Sequence, residues 1–256
     1  MHQPLRRLYL LYHELRPSPS RYSYAVETGE FEKHLDLFAE LRRSDGSCLW
    51  PEITFDDGHI SNFEYALPIL QSQNFAAQFF ITVGWTGRKA GYMGWNELRA
   101  LHGAGQAIGA HGLTHTLLTH CNESELQAEL NGARLTLEDK LGAAITTMSL
   151  PGGRYNRRVL SACAAAGYTQ IYTSIPRPEP VSPGRMVGRL NIRGEMRPEW
   201  IAGLLQPDSL SLAALGRQYK VKEAAKALLG DRVYEKVWAL LNRKEPDVDD
   251  GKAAAG

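Results

Sequence analysis

The sequence predicts an α/β fold, either a barrel or a doubly wound sheet, from three observations. Short apolar runs rich in β-branched and aromatic residues alternate with segments of helical period up to about residue 198, a pattern typical of βα units around a mostly parallel sheet. Hydrophobic residues make up 43% and charged residues 22% of the 256 residues, so disordered and collagen-like classes are excluded. No internal repeat is visible, which excludes a solenoid.

Seven strands are predicted, at 8–12, 53–55, 77–83, 107–110, 145–150, 169–173 and 186–192. Segments with apolar residues at helical spacing lie between several of them and can each cover one face of the sheet. The clearest helix begins at Asn122, which forms a capping box with Glu125, and ends at Gly142. A second helix is predicted over 157–166, stopping before Gly167.

The chain is predicted to have three parts: a barrel domain at 1–198, a helical extension at 199–244 and a disordered tail at 245–256. The extension has apolar helical faces, no strand pattern and many basic residues. A solvated amphipathic face is the favoured interpretation of those charges, and peripheral contact with lipid head groups or a lipid-linked substrate is the alternative.

Charge and composition limit which binding partners and which cellular compartment we expect. Lys and Arg number 29 against 28 Asp and Glu, so no whole-chain field would hold a nucleic acid. Three cysteines, an odd number without paired spacing, argue against a disulfide framework and a thiolate zinc site. The sequence has no signal-peptide pattern and no apolar run of about 18 residues. We therefore expect a cytoplasmic protein without a transmembrane segment.

Two carboxylates, Asp56 and Asp57, directly follow the apolar strand at 53–55 and precede Gly58. Neighbouring residues on an extended strand point to opposite faces, so both can reach one site only if the chain turns, which Gly58 permits. One carboxylate could then bind a metal while the other titrates. A solvated turn is the alternative interpretation.

Two further groups of residues also follow strands. His111 and His115 come after the strand at 107–110, and together with Asp57 they would supply N, N and O ligands that leave an open position for water. The pair alone is weak evidence, because a histidine pair is more often structural. The turn at Gly152 could present N–H groups to an oxyanion, although an ordinary strand-to-helix turn is the simpler interpretation.

The order Thr-Phe-Asp-Asp-Gly, His-x-x-x-His and then a Pro-Gly turn resembles the polysaccharide deacetylases, also called the NodB homology domain or carbohydrate esterase family four. The resemblance covers about residues 5–195. It implies a distorted (β/α)7 barrel that binds one divalent metal, usually zinc, and hydrolyses N-acetyl or O-acetyl groups on sugars. An acetylated glycan or sugar precursor is the implied partner.

The resemblance also implies roles for individual residues. Asp56 matches the general base of the family, and Asp57, His111 and His115 match its metal ligands. Gly152 matches the position whose backbone N–H helps to bind the oxyanion.

Two departures from the family pattern matter. Ser149 stands where the family has an arginine, so the group that orients the base is missing or is supplied by Arg154 or another residue. The late histidine that serves the family as general acid has no counterpart, because no histidine follows His120.

His13 offers a replacement for that acid, because the strand at 8–12 ends in it. This arrangement is similar to the circularly permuted branch that includes biofilm poly-N-acetylglucosamine deacetylases. In a closed barrel the first and last strands are neighbours, so a histidine moved to the front reaches the same rim. We expect neighbouring carboxylates to favour its charged form; a histidine merely ending a strand is the alternative.

Two other functions stay open: a cytosolic amidase or deformylase of the same superfamily acting on a small amide, and a catalytically silent sugar-binding protein. His34 is among the histidines assigned no role and looks like a helix residue without a partner. The weak candidates for stacking on sugar rings, with rim packing as the alternative, are Trp85, Tyr92, Trp95 and Tyr155.

Overall fold

The computed structural model describes residues 6–43 and 48–229. The strands are β1 (Arg6–Tyr12), β2 (Glu14–Arg16), β3 (Ala25–Glu27), β4 (Trp50–Phe55), β5 (Ala77–Ile81), β6 (Ala107–Ala110), β7 (Thr147–Ser149), β8 (Gln170–Tyr172), β9 (Glu179–Pro180), β10 (Met186–Val187) and β11 (Arg189–Asn191). The α-helices are α1 (Thr28–Arg43), α2 (Leu67–Ser72), α3 (Trp95–Gly103), α4 (Glu123–Leu141), α5 (Arg157–Ala165), α6 (Pro198–Leu204) and α7 (Leu210–Leu229).

The main sheet is a nearly closed parallel barrel, which confirms the predicted α/β class and barrel. Its strand order is β10-β8-β7-β6-β5-β4-β1-β11, and neighbouring strands on this path are parallel. The short β9 pairs antiparallel with β1. Because parallel strands end on the same side, the residues that follow β1, β4, β6 and β7 meet at one rim.

One stretch of chain closes the barrel by changing partners. The predicted strand at 186–192 is two short strands separated by Gly188: β10 pairs with β8, and β11 pairs with β1. The Gly188 N–H donates to Glu179 Oε1 at 2.6 Å, and a Cβ at Gly188 would lie 2.5 Å from the Ile175 carbonyl oxygen. A side chain therefore does not fit where the strand turns from one edge of the sheet to the other.

The apolar core lies between the outer faces of the strands and the helices. Phe55 of β4 stacks on Phe79 of β5 with ring centroids 4.9 Å apart, and Phe31 of α1 meets Phe55 edge-on at 5.8 Å. The barrel interior is a separate small cluster of Tyr9, Phe80, Tyr172 and Val187. The alternation of outward apolar and inward mixed side chains is what a two-layer α/β fold requires.

Both predicted helix caps are present. Asn122 accepts a hydrogen bond from the Glu125 N–H at 3.0 Å, and the Glu125 carboxylate accepts one from the Asn122 N–H at 2.8 Å. Gly142, with φ +66°, ends α4, and Gly167, with φ +92°, follows α5. Such left-handed positions favour glycine because it has no Cβ.

The chain divides into two compact units, Met1–Gly216 and Arg217–Gly256. The boundary predicted at residue 198 stays a prediction, as does peripheral contact through the basic helices. Residues 230–244 of the predicted extension and the tail at 245–256 lie outside the described residues. Among the helices in the described ranges, none combines the length and apolar character needed to cross a membrane.

Candidate active site

Asp57, His111 and His115 come together at the rim of the barrel. Asp57 Oδ1 lies 3.2 Å from His111 Nε2 and 3.3 Å from His115 Nε2. One ligand atom from each of the three residues lies within 4.8 Å of the others. The three residues predicted as metal ligands thus form one cluster, although they are far apart in sequence.

Unusual backbone conformations bring these side chains together. Asp57 has φ +74° and is followed by Gly58 at φ +85°, so the chain turns directly after β4, as expected from Gly58. His115 has φ +66°, and Gly112 in the same loop has φ +79°. A residue other than glycine in this region costs about 1–3 kcal/mol and persists where the surrounding structure holds it.

The chemistry of the cluster fits a bound cation. Asp57 Oδ1 is buried and has no hydrogen-bond donor among the described residues. His111 Nδ1 lies 2.9 Å from the Ser149 carbonyl oxygen and can only donate there, so the Nε2 lone pair of the neutral ring faces Asp57. A carboxylate oxygen and imidazole lone pairs that converge in this way need positive charge between them, and O, N and N are ligands that zinc accepts.

The carboxylates and imidazoles of this cluster shift one another's pKa values. Burial alone would raise the pKa of Asp57, but His111 and His115 hold it well below its usual value. Burial alone would lower the pKa of His111, but Asp56 and Asp57 raise it above its usual value.

The histidine loop is fixed by Glu129 of α4, a residue that the sequence analysis did not single out. Its carboxylate accepts hydrogen bonds from the Leu113 N–H at 2.7 Å, the Thr114 N–H at 3.0 Å and the Thr114 hydroxyl at 2.5 Å. On the other side of the loop, the Gly84 N–H donates to the Leu113 carbonyl at 2.6 Å. The loop that carries His115 is therefore held from both sides.

Asp56 lies beside the cluster in a buried ion pair with Arg189 of β11. Arg189 donates to both carboxylate oxygens at 2.8 Å, and the Ser149 hydroxyl donates to Asp56 Oδ2 at 2.9 Å. The exposed fractions of Asp56 and Arg189 are 3% and 1%. Burial alone would raise the pKa of Asp56, but Arg189, together with His111 and His13, outweighs it and lowers that pKa.

Arg189 supplies the guanidinium that is missing at Ser149. The guanidinium that contacts Asp56 comes from β11, and Ser149 adds a hydroxyl that lies 2.6 Å from Arg189 Nη2. The sequence carried one signal for this residue, because Arg189 is a charge inside a predicted apolar strand. Alternation of side chains along that strand would have placed it in the barrel interior with Val187.

His13 directly follows β1 at the same rim, but its surroundings differ from the expectation. Its Nδ1 is buried without a hydrogen-bond partner among the described residues, and its ring lies 5.0 Å from that of Tyr24. Burial lowers the pKa of His13, and the charges of Asp57 and Asp56 oppose this shift without overcoming it. The carboxylates thus favour the charged form of His13 in the expected direction, but burial has the larger effect on its pKa.

Gly152 lies exposed in a short 3₁₀ turn, Pro151–Gly153, directly after Leu150. Its φ is +62°, and a Cβ there would lie 2.7 Å from Leu117 Cδ2. The turn thus favours a glycine, while the role of its N–H stays a prediction.

Trp85 packs against His115 of the Asp57–His111–His115 cluster, and Lys89 and Tyr92 also contact its ring. It stacks on His115 with centroids 5.0 Å apart, and the Lys89 ammonium lies 3.9 Å from the ring centroid. Tyr92 meets it at 4.7 Å. Rim packing, the alternative in the sequence analysis, is therefore the better description of Trp85 and Tyr92.

Residues 50–171 match the model of one protein family, described as polysaccharide deacetylase. The match covers 122 of the 256 residues, and this part of the chain is similar to the polysaccharide deacetylase family. The matched range contains Asp56, Asp57, His111, His115 and Gly152, whereas His13 and Arg189 lie outside it. His13 and Arg189 thus come from the segments before and after the matched range.

Individual relatives extend the likeness beyond the family range. The chain is 25% identical over 189 residues to a protein of Bacillus subtilis strain 168 that is described as "Putative polysaccharide deacetylase YxkH". The match covers 68% of this chain and 66% of YxkH. It therefore spans slightly less than two thirds of that relative.

Solved structures share the fold. The Streptococcus pyogenes deacetylase PplD in complex with acetate has a TM-score of 0.70 at 19% identity, covering 80% of this chain and 100% of that one. The Bacillus cereus polysaccharide deacetylase BC0361 has a TM-score of 0.68 at 19% identity, with coverages of 79% and 69%. IcaB from Ammonifex degensii has a TM-score of 0.66 at 20% identity, with coverages of 80% and 98%.

Proposed function

We propose that this chain is a metal-dependent hydrolase that removes N-acetyl groups, or alternatively O-acetyl groups, from a carbohydrate. The observation that carries the proposal is the close approach of two sets of residues at one rim: the Asp57–His111–His115 cluster and the buried Asp56–Arg189 pair. The match of residues 50–171 to the polysaccharide deacetylase family supports a carbohydrate as the substrate.

Asp57, His111 and His115 would hold the metal, zinc or another divalent transition metal. Bound there, such an ion supplies Lewis acidity toward the acyl oxygen and lowers the pKa of a water molecule. Ser149, whose carbonyl accepts from His111, fixes the ring orientation of that ligand. Glu129 fixes the loop that carries His115.

Asp56 accepts the proton of the attacking water as the general base. Arg189 and the Ser149 hydroxyl use both lone pairs of Asp56 Oδ2, whereas Oδ1 receives Arg189 Nη1 alone. Because each carboxylate oxygen has two lone pairs, Oδ1 keeps one for the incoming proton. Arg189 thereby orients the carboxylate and keeps it ionised until the proton arrives.

The remaining steps fall to Gly152 and His13. Water adds to the acyl carbon, and the Gly152 N–H donates to the oxyanion of the tetrahedral adduct. The C–N bond then breaks, the protonated imidazole of His13 gives its proton to the departing amine, and acetate remains. Because burial lowers the pKa of His13, the ring is a stronger acid than an ordinary histidine once it carries the proton.

The central role to test is that of Asp56. In the Asp56→Asn variant, an amide cannot accept the proton of water, while the metal ligands stay in place. Zinc-loaded protein incubated with N-acetylglucosamine oligomers should release acetate and free amine, and Asp56→Asn should bind zinc normally but lose at least about 100-fold in rate. Asp208→Asn, an exposed aspartate outside the site, is the matched control.

The same assay separates the competing functions. A panel of small amides and formamides run beside the oligomers identifies an amidase or deformylase if only those are hydrolysed. Retained activity in Asp56→Asn would reject Asp56 as the base. A catalytically silent sugar-binding protein would release no acetate. The missing arginine at Ser149 does not favour that alternative, because Arg189 supplies a guanidinium to Asp56.

A further inference from the structure

The two histidines of the metal cluster are fixed in different ways. His111 donates from Nδ1 to the Ser149 carbonyl oxygen at 2.9 Å, and its side chain is 3% exposed. His115 faces Asp57 with Nε2 at 3.3 Å, but its side chain is 33% exposed. Within the described ranges, no protein group accepts a hydrogen bond from His115 Nδ1. A histidine ligand whose second nitrogen has no protein partner needs another contact to fix its ring.

The indole ring of Trp85 makes that contact. It stacks on the His115 imidazole, with ring centroids 5.0 Å apart and an angle of 30° between the ring planes. Stacked aromatic rings attract each other beyond the apolar area that they bury, so the contact favours one orientation of the imidazole. For His115, this stacking replaces the hydrogen bond that fixes His111.

The turn that carries Trp85 is joined to the histidine loop by its backbone. Trp85 ends the 3₁₀ turn Val83–Trp85. The Val83 N–H donates to the Gly112 carbonyl at 3.2 Å, and the Gly84 N–H donates to the Leu113 carbonyl at 2.6 Å. A Cβ at Gly84 would lie 2.5 Å from that Leu113 oxygen, so the two segments approach more closely than a side chain would permit. Backbone contacts therefore set the position of the indole relative to the loop.

The other contacts of Trp85 keep its ring in place. The Lys89 ammonium lies 3.9 Å from an indole centroid, and the Tyr92 ring meets the indole edge-on with centroids 4.7 Å apart. Lys89 is held against the same turn, since its N–H donates to the Trp85 carbonyl at 3.0 Å. The indole is thus braced by groups other than His115, so it can act as a support for that side chain.

We propose that Trp85 is a positioning residue for the metal site, which holds the His115 imidazole with Nε2 toward Asp57. It does for His115 what the Ser149 carbonyl does for His111. This inference rests on the proposed function, in which these two histidines and Asp57 bind a metal. Without the indole, the His115 ring gains rotational freedom that metal binding then has to remove. The loss appears as weaker metal affinity.

Zinc affinity of the full chain, measured by competition with a chelator, tests the role of Trp85. Trp85→Leu keeps apolar bulk without a ring and should lower the affinity by about 3- to 10-fold. Trp85→Phe, which keeps a ring that can stack, should lower it by less than about 2-fold. Trp200→Leu, a change at an exposed tryptophan of α6, is the matched control and should leave the affinity unchanged.

A double-mutant cycle shows whether Trp85 acts through His115. His115→Ala removes the ligand that the indole supports, so adding Trp85→Leu should cause no further loss of zinc affinity. A residue that merely stabilises the rim would weaken zinc binding by the same factor in both backgrounds. If Trp85→Leu does not fold, Trp85→Met, whose flexible side chain fills irregular space, takes its place in the cycle.

Three results would overturn the proposal: an equal factor in both backgrounds, an unchanged affinity in Trp85→Leu, or a loss in Trp85→Phe as large as in Trp85→Leu. Because affinity is measured without substrate, failure of the proposed function gives a different result. Normal zinc binding with no acetate released from any acetylated sugar would reject the deacetylase function alone. No zinc binding by the unmodified chain would reject the metal site and the role of Trp85 together.

Discussion

Asp56 and Arg189 illustrate how a buried charge is tolerated in this barrel. Removing either group from water costs several kcal/mol, and the two parallel hydrogen bonds between them offset that cost. The Arg189 side chain also lies over the rings of Phe80 and Tyr172, with its guanidinium carbon 5.2 and 5.7 Å from their centroids. The pair holds the proposed base in one orientation, ionised and out of bulk water.

Removing the guanidinium should therefore harm folding more than removing both charges. Arg189→Met leaves the Asp56 carboxylate buried without its partner and should lower the free energy of unfolding by about 3–5 kcal/mol at neutral pH. Adding Asp56→Asn should recover part of this loss, because no buried charge remains. Urea denaturation of the two single variants and the double variant measures the cycle. Strictly additive losses would mean that the two side chains do not stabilise each other.

At the scale of elements, α4 and the histidine loop act together. Glu129 accepts three hydrogen bonds from loop groups that lie between His111 and His115. The helix thus sets the distance between two proposed ligands that are four residues apart in sequence.

Neutralising Glu129 should loosen the metal site without touching a ligand. Glu129→Gln removes the negative charge that strengthens the hydrogen bonds from the Leu113 and Thr114 N–H groups, and leaves one acceptor oxygen in place of two. We expect zinc affinity, measured by competition with a chelator, to fall by about 10- to 100-fold. Asp139→Asn, whose side chain is 71% exposed on the same helix, is the control. Unchanged affinity in Glu129→Gln would contradict the role of α4 in holding the loop.

A second prediction at the scale of elements concerns Gly188, where the pairing changes from β8 for β10 to β1 for β11. A methyl group at Gly188 would meet the Ile175 carbonyl oxygen at 2.5 Å, so Gly188→Ala should cost about 1–3 kcal/mol of stability. Gly184→Ala, with no atom within 4 Å of its Cβ, should cost much less. Thermal unfolding of the two variants compares them, and equal melting temperatures would be inconsistent with a crowded partner change.

The sequence predicted the long periodic elements and missed the short ones, for physical reasons. Strands of the barrel are apolar runs, and helix α4 carries its own caps, so both have local signals. Strands β2, β3 and β9 have two or three residues each and pair through contacts that no local pattern encodes. The strand at 186–192 was predicted as continuous because the partner change at Gly188 involves contacts with Glu179 and Ile175, which no local pattern in the strand encodes.

The same distinction holds for the site. Asp56, Asp57, His111 and His115 could be predicted because each follows an apolar strand and the spacing matches a family. Arg189 could not be assigned to Asp56, because their pairing requires the closed barrel that brings β11 near β4 and β7. His34, expected to lack a partner, is another case: Tyr12 and Met196 both contact its ring nitrogens.

For the whole molecule, His34 gives stability a dependence on pH. The Tyr12 hydroxyl lies 3.1 Å from Nδ1 and the Met196 carbonyl 3.0 Å from Nε2. Burial lowers the pKa of His34, although the Met196 carbonyl and the charges of Glu30 and Glu199 oppose the shift and that of Arg197 reinforces it. Between this lowered pKa and the ordinary value of about 6.5, the unfolded chain binds more protons. Acidification through that window therefore destabilises the fold.

Replacing His34 should reduce that dependence. His34→Gln can still accept from Tyr12 and donate to Met196 but does not titrate. The stability advantage of the unmodified chain over His34→Gln should be larger at pH 7.5 than at pH 5, with a slope of at most about 1.4 kcal/mol per pH unit. Urea denaturation of the metal-free proteins at both pH values measures it. A constant difference would show that His34 does not titrate on unfolding.

The central claim for the molecule is that Asp57, His111 and His115 converge to bind the one ion that deacetylation needs. The most direct measurement combines metal content after dialysis with acetate release from N-acetylglucosamine oligomers, for the unmodified chain and for Asp57→Ala. We expect about one zinc per chain, acetate release that stops on chelation and returns with zinc, and loss of both zinc and activity in Asp57→Ala. Acetate release that persists after chelation, or zinc bound equally well by Asp57→Ala, would contradict the account.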